Sequence, residues 1–261
     1  MQIVGEVERI APDEFDPEGG APVVIEHAIA DWPALARWSP EYLGARIGDV
    51  RINYKVSANG LHPNFHAATL AEMFATKPAT IRELVAEVAA DASGRKLFTG
   101  DEKFVLRRRD GTTTVDPELA PLLDDVHIPR WIPDDSLYTI WSWISGANVR
   151  TWLHYDNNDC HNLNAQITGA KSCILIHPDQ TEHVSLFPGG GANPATNCSQ
   201  IDVFAPDLAR FPAFADVRAL GARLAAGDLL YIPALWLHAF EHHGAFNTNI
   251  NFWWKPVTAR S

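Results

Sequence analysis

Asn162 to Pro178 reads NLNAQITGAKSCILIHP, and its spacing decides the fold. Asn162, Asn164 and Gln166 form a row of amides at alternate positions, while Leu163, Ala165 and Ile167 between them are apolar. A period of two belongs to a strand with two unlike faces. Thr168-Gly169 then predicts a turn, and the mostly apolar run to Ile176 a following strand closed by His177-Pro178. The same texture recurs outward: SLYTIWSWIS from Ser136, GDLLYIP from Gly227, and NTNINFWW from Asn247, which repeats the amide row at Asn247, Asn249 and Asn251. Short alternating or apolar runs punctuated by Gly and Pro are the pattern of a β-sandwich or barrel. The amide rows either face water or line a polar cavity inside the barrel, and for two such strands a ligand pocket fits at least as well.

Before Ser136 the texture is mixed. Val23 to Ile25 is a β-branched run suited to a buried strand, and Ser39-Pro40 places a serine cap before a proline at the first helical position. ATLAEMFA near Ala68 and TIRELVAEVAADA from Thr80 carry apolar residues at helical spacing. Residues 178–226, which include Gly189-Gly190-Gly191 and several prolines, read as a long insertion between strands, of the kind that serves as a lid or partner surface. No repeat or linker licenses a cut. The expected organisation is one domain over 1–261, with 1–135 a helical and strand elaboration and 136–256 the barrel core.

Composition narrows the function. Among 261 residues, 21 Lys and Arg face 32 Asp and Glu for a net charge of −11, and 46% of residues are apolar, enough for a packed core. The acidic balance works against unaided binding to nucleic acid phosphates. No run of about 18 apolar residues offers a membrane span. MQIVGEVERIAPDEF at the start lacks a basic segment before an apolar one, so the expected location is cytoplasmic. Cys160, Cys173 and Cys198 are odd in number and lack CxxC spacing, which argues against a disulfide framework and a zinc knuckle.

His154-Tyr155-Asp156 is the chemical anchor. In a strand His154 and Asp156 share a face while Tyr155 points away, giving two thirds of a 2-His-1-carboxylate triad of the kind that leaves open positions on Fe(II). His238, where the strand begun at Leu229 exits through Pro233, is the best candidate for the third ligand. An isolated HxD pair is more often a histidine satisfied by its neighbour. Lys171, on the mostly apolar run to Ile176, is either an edge lysine with its head in solvent or a buried cation awaiting an anion. His177, His183, His242 and His243 read as loop or strand-end residues, and Trp152 and Tyr155 as outer-face packing.

HYD at His154, NLNAQITGAKSCILIHPDQ from Asn162, IDVFAPDLARFPAF from Ile201, GDLLYIPALWLH from Gly227 and NINFWWK from Asn249 together resemble the cupin-like JmjC family of Fe(II)/2-oxoglutarate oxygenases. PVVIEHAIADWPALARWSPEYL from Pro22 and GDEKFVLRR from Gly100 extend the resemblance over almost the whole chain. Within the family the pattern resembles that of the hypoxia-inducible-factor asparaginyl hydroxylase and the tRNA wybutosine hydroxylase. The resemblance implies a mainly β fold, a double-stranded β-helix (jelly-roll, cupin) with N-terminal helices. It implies Fe(II) on His154, Asp156 and His238, with 2-oxoglutarate and O2 as co-substrates. It also implies that Lys171 and Thr151 hold the far carboxylate of 2-oxoglutarate, and that Asn162 and Asn251 line the pocket beside the metal.

This chain departs from the family in two places. A family tyrosine that helps hold the co-substrate falls at Phe104 or Val105, and Tyr138 is a possible substitute. The stretch from Asp156 to Asn162 is two residues longer than in the asparaginyl hydroxylase, so Asp159, Cys160 and His161 read as a surface loop or as part of the mouth. The implied activity is a 2-oxoglutarate-dependent hydroxylase. A protein or peptide side chain is the first expected substrate because of the acidic balance. A modified tRNA nucleoside or small molecule comes second, with Lys103 and Arg107-Arg108-Arg109 as the one basic cluster. A non-catalytic metal- or peptide-binding cupin module comes third. Relatives dimerise through helices after the barrel, whereas here the sequence stops shortly after the last strand, so a monomer or a different interface is expected.

Overall fold

The computed structural model describes residues 1–255 apart from 58–59, 64, 66–74, 91–95, 99–101, 108–112, 134 and 190–194, with backbone alone at 96–98, 102–107, 113 and 158. The helix expected near Ala68 and the basic cluster around Arg108 lie outside the described residues. The strands are β1 (Gln2–Glu6), β2 (Glu8–Ile10), β3 (Val23–Ile25), β4 (Arg51–Ser57), β5 (Leu61–His62), β6 (Thr76–Thr80), β7 (Lys96–Phe98) and β8 (Glu102–Arg107). They continue with β9 (Thr113–Val115), β10 (Leu137–Ser145), β11 (Arg150–Thr151), β12 (His161–Ile176), β13 (Arg218–Ala225), β14 (Leu229–Ile232) and β15 (Leu237–Trp254).

The barrel is organised by β12 and β15, which run antiparallel along their whole lengths from His161 opposite Trp254 to Ile176 opposite Leu237. The register slips on both sides of Thr168, and Gly169 has φ +76°. A Cβ on Gly169 would fall 2.0 Å from Asn247 Oδ1, the oxygen that accepts the Ala170 N–H at 3.1 Å. The expected Thr168-Gly169 turn is therefore a bulged bend inside a single strand, because the left-handed glycine kinks the ladder without reversing the chain.

The bend carries β12 from one layer to the other. Before it, Asn162 to Ala165 pair with β14 on the free side, and β10 lies along β15. Beyond it, Ala170 to Ile176 pair with β13, and β11 lies along β15. Two strand layers sharing one bent central pair make the double-stranded β-helix, the cupin fold expected from the sequence. Burial follows: Leu163, Ala165, Ile250 and Phe252 join one core cluster, and Leu175, Leu224, Leu230 and Phe240 another.

The N-terminal segment is built into the barrel's edges. β1 runs parallel to β13, and β2 parallel to β3, which pairs with β14. The helix Pro40–Arg46 forms where the Ser39 cap placed it, and Ile81–Ala89 where the apolar spacing did. Ser39 Oγ accepts the Tyr42 N–H, and Thr80 with Glu83 closes a reciprocal box. Of the expected 178–226 insertion, the last part is a barrel strand: β13 occupies Arg218–Ala225, where alanines and a glycine blur the alternation. The preceding residues pack Val184, Ile201, Val203 and Phe214 beneath the barrel end. Among the described residues no helix is long and apolar enough to cross a membrane.

Candidate metal centre and co-substrate cavity

His154 lies in an extended segment after β11, and His238 is the second residue of β15. Their backbones pair: the His154 N–H donates to the His238 carbonyl at 3.1 Å, and the His238 N–H returns to the His154 carbonyl at 2.7 Å. Each ring is then fixed at Nδ1, 2.7 Å from the Trp152 carbonyl for His154 and 3.0 Å from the Trp236 carbonyl for His238. A carbonyl can only accept, so Nδ1 carries the proton in both rings and Nε2 presents a bare lone pair. The two Nε2 atoms lie 4.0 Å and 3.8 Å from Asp156 Oδ1. All three ligand atoms fall within 4.8 Å of one another. Burial, reinforced by neighbouring His154, pushes the His238 pKa down to about 4, so the ring stays neutral and ready to ligate.

Asp156 is oriented by the amide rows. Asn249 Nδ2 donates to Asn251 Oδ1 at 2.8 Å, Asn251 Nδ2 to Asn162 Oδ1 at 3.0 Å, and Asn162 Nδ2 to Asp156 Oδ2 at 2.9 Å. Every link runs in one direction and ends on the carboxylate oxygen that faces away from the histidines. That leaves Oδ1 free for a metal. The amides are buried, which settles the choice between water and cavity in favour of the cavity. Asn162, Asn164, Asn249 and Asn251 line it, whereas Gln166 and Asn247 bond to backbone at the bend.

Lys171 is 1% exposed, so the solvent-facing reading fails. Its ammonium donates to Asn164 Oδ1 and lies 4.6 Å over the Phe240 ring. Among the described residues no carboxylate reaches it, and burial pushes its pKa down to about 7. A cation held this way is costly until an anion arrives. Thr151 borders the same cavity. Its hydroxyl oxygen accepts the Phe240 N–H at 2.9 Å, leaving the hydroxyl proton available to a ligand. Two imidazoles, one carboxylate and a buried unpaired cation fit a divalent iron and a dianionic co-substrate by the chemistry of the donors alone.

A second cavity of about 230 Å³ opens beside the first, sharing Trp143, Thr151 and His154 and adding His62, Pro63, Ala195, Asn197 and Cys198. The buried indole N–H of Trp143, at the junction, has no acceptor among the described residues. A roomier groove of about 500 Å³, between His27 to Trp32 and His127 to Trp131, contains none of these groups. The candidate chemistry lies in the two cavities around His154.

Several sequence expectations move. His242, expected at a loop or strand end, is buried inside β15 and lines the same cavity as His154, Asp156 and His238, while His243 points outward to Ser172. Counting by twos from His238 through Phe240 finds it. Tyr138 does not reach the cavity; the Lys255 ammonium covers its ring at 5.7 Å. The side chains of Phe104 and Val105 lie outside the described residues. In the longer loop, Asp159 is exposed, Cys160 is buried, and His161 stacks on Tyr231 and Trp254, so none borders the cavity. Trp152 donates to the Ser199 carbonyl and Tyr155 packs on the Leu153 cluster, both as structural residues.

A bent double-layered β barrel with two histidines and one carboxylate facing an interior cation defines an oxygenase of the JmjC type, which works with Fe(II), 2-oxoglutarate and O2. The cupin-like domain family matches residues 17–260, and the chain belongs to it. Among its relatives, tRNA wybutosine-synthesizing protein 5 of Homo sapiens is 28% identical over 247 residues, covering 90% of this chain and 71% of that protein. The bifunctional peptidase and (3S)-lysyl hydroxylase JMJD7 of Homo sapiens is 28% identical over 262 residues, covering 89% and 77%. Lysine-specific demethylase JMJ30 of Arabidopsis thaliana is 26% identical over 249 residues, covering 90% of this chain and 50% of its own length.

Proposed function

We propose that this chain hydroxylates an unactivated C–H bond of a protein or peptide side chain. In this reading His154, Asp156 and His238 hold Fe(II), Lys171 and Thr151 grip the far carboxylate of 2-oxoglutarate, and Asn162 and Asn251 border the metal. The carrying observation is the convergence of two tautomer-fixed Nε2 atoms on Asp156 Oδ1 within 4.0 Å, beside a buried lysine with no carboxylate partner among the described residues.

When bound, iron and 2-oxoglutarate activate O2, one oxygen atom entering the substrate as hydroxyl and the other entering succinate as CO2 leaves. The chain's own residues position and exclude. The amide relay holds Asp156 Oδ2 so that its partner oxygen faces the histidines. Lys171 selects a diacid by charge and reach. Trp143, His62 and Asn197 shape the neighbouring cavity, where a substrate carbon would be held close to the metal while water is kept away. Residues 1–261 act as one unit in this reading, since β1 to β3 complete the barrel edges.

The net charge of −11 favours a peptide over RNA. The tRNA reading stays second because proteins named for tRNA wybutosine synthesis match this chain over 88% to 91% of its length. The test is succinate formation by purified protein with Fe(II), ascorbate and 2-oxoglutarate, with and without candidate peptides or tRNA. Peptide-stimulated succinate is expected. Stimulation by tRNA, with affinity that falls as salt rises, would move the substrate to RNA, and no 2-oxoglutarate turnover in iron-loaded protein would end the hydroxylase reading.

A further inference from the structure

His238, Phe240 and His242 occupy successive inward positions of β15. The first is assigned to the metal, and the second lies under the Lys171 ammonium. His242 has no assigned part, although it is 4% exposed and lines the same cavity as Lys171 and Thr151. It stands directly opposite Lys171 in the β12–β15 register, which places the two Cβ atoms about 5 Å apart. Its backbone is held on both sides, the N–H on the Val149 carbonyl at 2.8 Å and the carbonyl by the Asn148 N–H at 3.0 Å. Its Nδ1 lies 2.7 Å from Ser145 Oγ, so one nitrogen is fixed from behind and Nε2 is left for the cavity.

The 2.7 Å contact admits either direction; with the Ser145 hydroxyl as donor, the direction adopted here, the ring proton sits on Nε2 and the imidazole is a neutral donor. Burial first, and the nearby Lys171 cation second, keep the His242 pKa down at about 3, so the ring adds a hydrogen bond without a second charge. A carboxylate has about four lone-pair sites. Lys171 already spends one proton on Asn164, and Thr151 has one to give. A third donor at this end of the cavity completes a socket for one carboxylate.

We propose that His242, braced by Ser145, donates from Nε2 to the far carboxylate of 2-oxoglutarate beside Lys171 and Thr151. The inference rests on the reading of this cavity as the co-substrate site. It is tested without turnover, on Mn(II)-loaded protein, by calorimetric binding of 2-oxoglutarate and of oxalate, which meets the metal and has no far carboxylate. His242→Ala should weaken 2-oxoglutarate about tenfold, the size of one hydrogen bond to a charged group, and leave Mn(II) and oxalate unchanged. His242→Gln, which retains an N–H, should lose less, and the outward-facing His243→Ala should lose nothing. If His242→Ala binds 2-oxoglutarate within about twofold of wild type while Lys171→Ala does not, the assignment of His242 is wrong. If oxalate weakens in parallel, His242 only supports the fold and the proposal is overturned. If Lys171→Ala also binds normally, the co-substrate reading itself fails.

Discussion

The two halves of the β12–β15 pair share one backbone ladder and carry opposite chemistry. On the side running from His161 to the bend, the inward residues are the amides Asn162, Asn164, Asn249 and Asn251. Beyond Gly169 they are Lys171, His238 and His242, with the Phe240 ring between the histidines. An amide both donates and accepts, so a row of them can satisfy itself end to end, as the run from Asn249 to Asp156 does. The Lys171 ammonium can only donate, and His238, with its Nδ1 proton spent on the Trp236 carbonyl, offers the cavity only a lone pair, so this side does not close on itself. The run from Asn249 to Asp156 is closed on folding, and the side that holds Lys171 is completed by what binds.

That contrast can be broken most severely at the metal. Asp156→Ala should abolish Mn(II) binding in a calorimetric titration, whereas Asn162→Ala, which removes only the donor behind the carboxylate, should weaken it about 10- to 100-fold. Wild-type affinity in Asn162→Ala would mean that the amide row merely fills space. Gly169→Ala attacks the join between the halves. With φ at +76° and a Cβ destined for 2.0 Å from Asn247 Oδ1, it should cost about 2 kcal/mol or more in urea unfolding, and an unchanged midpoint would remove the bend from the account.

The smallest effect concerns the unfinished half. Burial lowers the Lys171 pKa from 10.5 to about 7, so between these values the unfolded chain binds more protons than the folded one. The cost of burying the cation is full below pH 7 and fades as pH rises toward 10.5. Without co-substrate, the melting temperature of wild type should climb relative to Lys171→Met between pH 7 and 9. Parallel curves for the two proteins would show that the lysine is already paired.

Much of this contrast is legible in the amino-acid sequence, because a period of two maps directly onto inward and outward faces. The HxD pair, the amide rows and the lone lysine all follow from it. What the pattern does not reveal has physical causes. A left-handed glycine serves a hairpin turn and a bulged bend equally well, so Thr168-Gly169 is ambiguous as a string of residues. Gln166 and Asn247 keep the alternation yet give their side chains to backbone at that bend, a choice made by tertiary contacts. RALGARLA in β13 hides its faces because Ala and Gly weigh little in either direction. His242 escapes notice because adjacent histidines suggest a surface, although alternation from His238 points it inward.

The mutual backbone bonds of His154 and His238 mean that two of the three proposed metal ligands are set before any ion arrives. The spacing of the imidazoles is inherited from the ladder, so an ion enters a finished mould and can leave it without collapse. Such a mould, of two nitrogens and one oxygen, discriminates poorly among first-row divalent metals, whose intrinsic preference runs toward copper and away from iron. Protein taken from cells will therefore carry whichever ion the growth conditions supplied, and its oxygenase activity will depend on stripping that ion and reloading iron under reducing conditions.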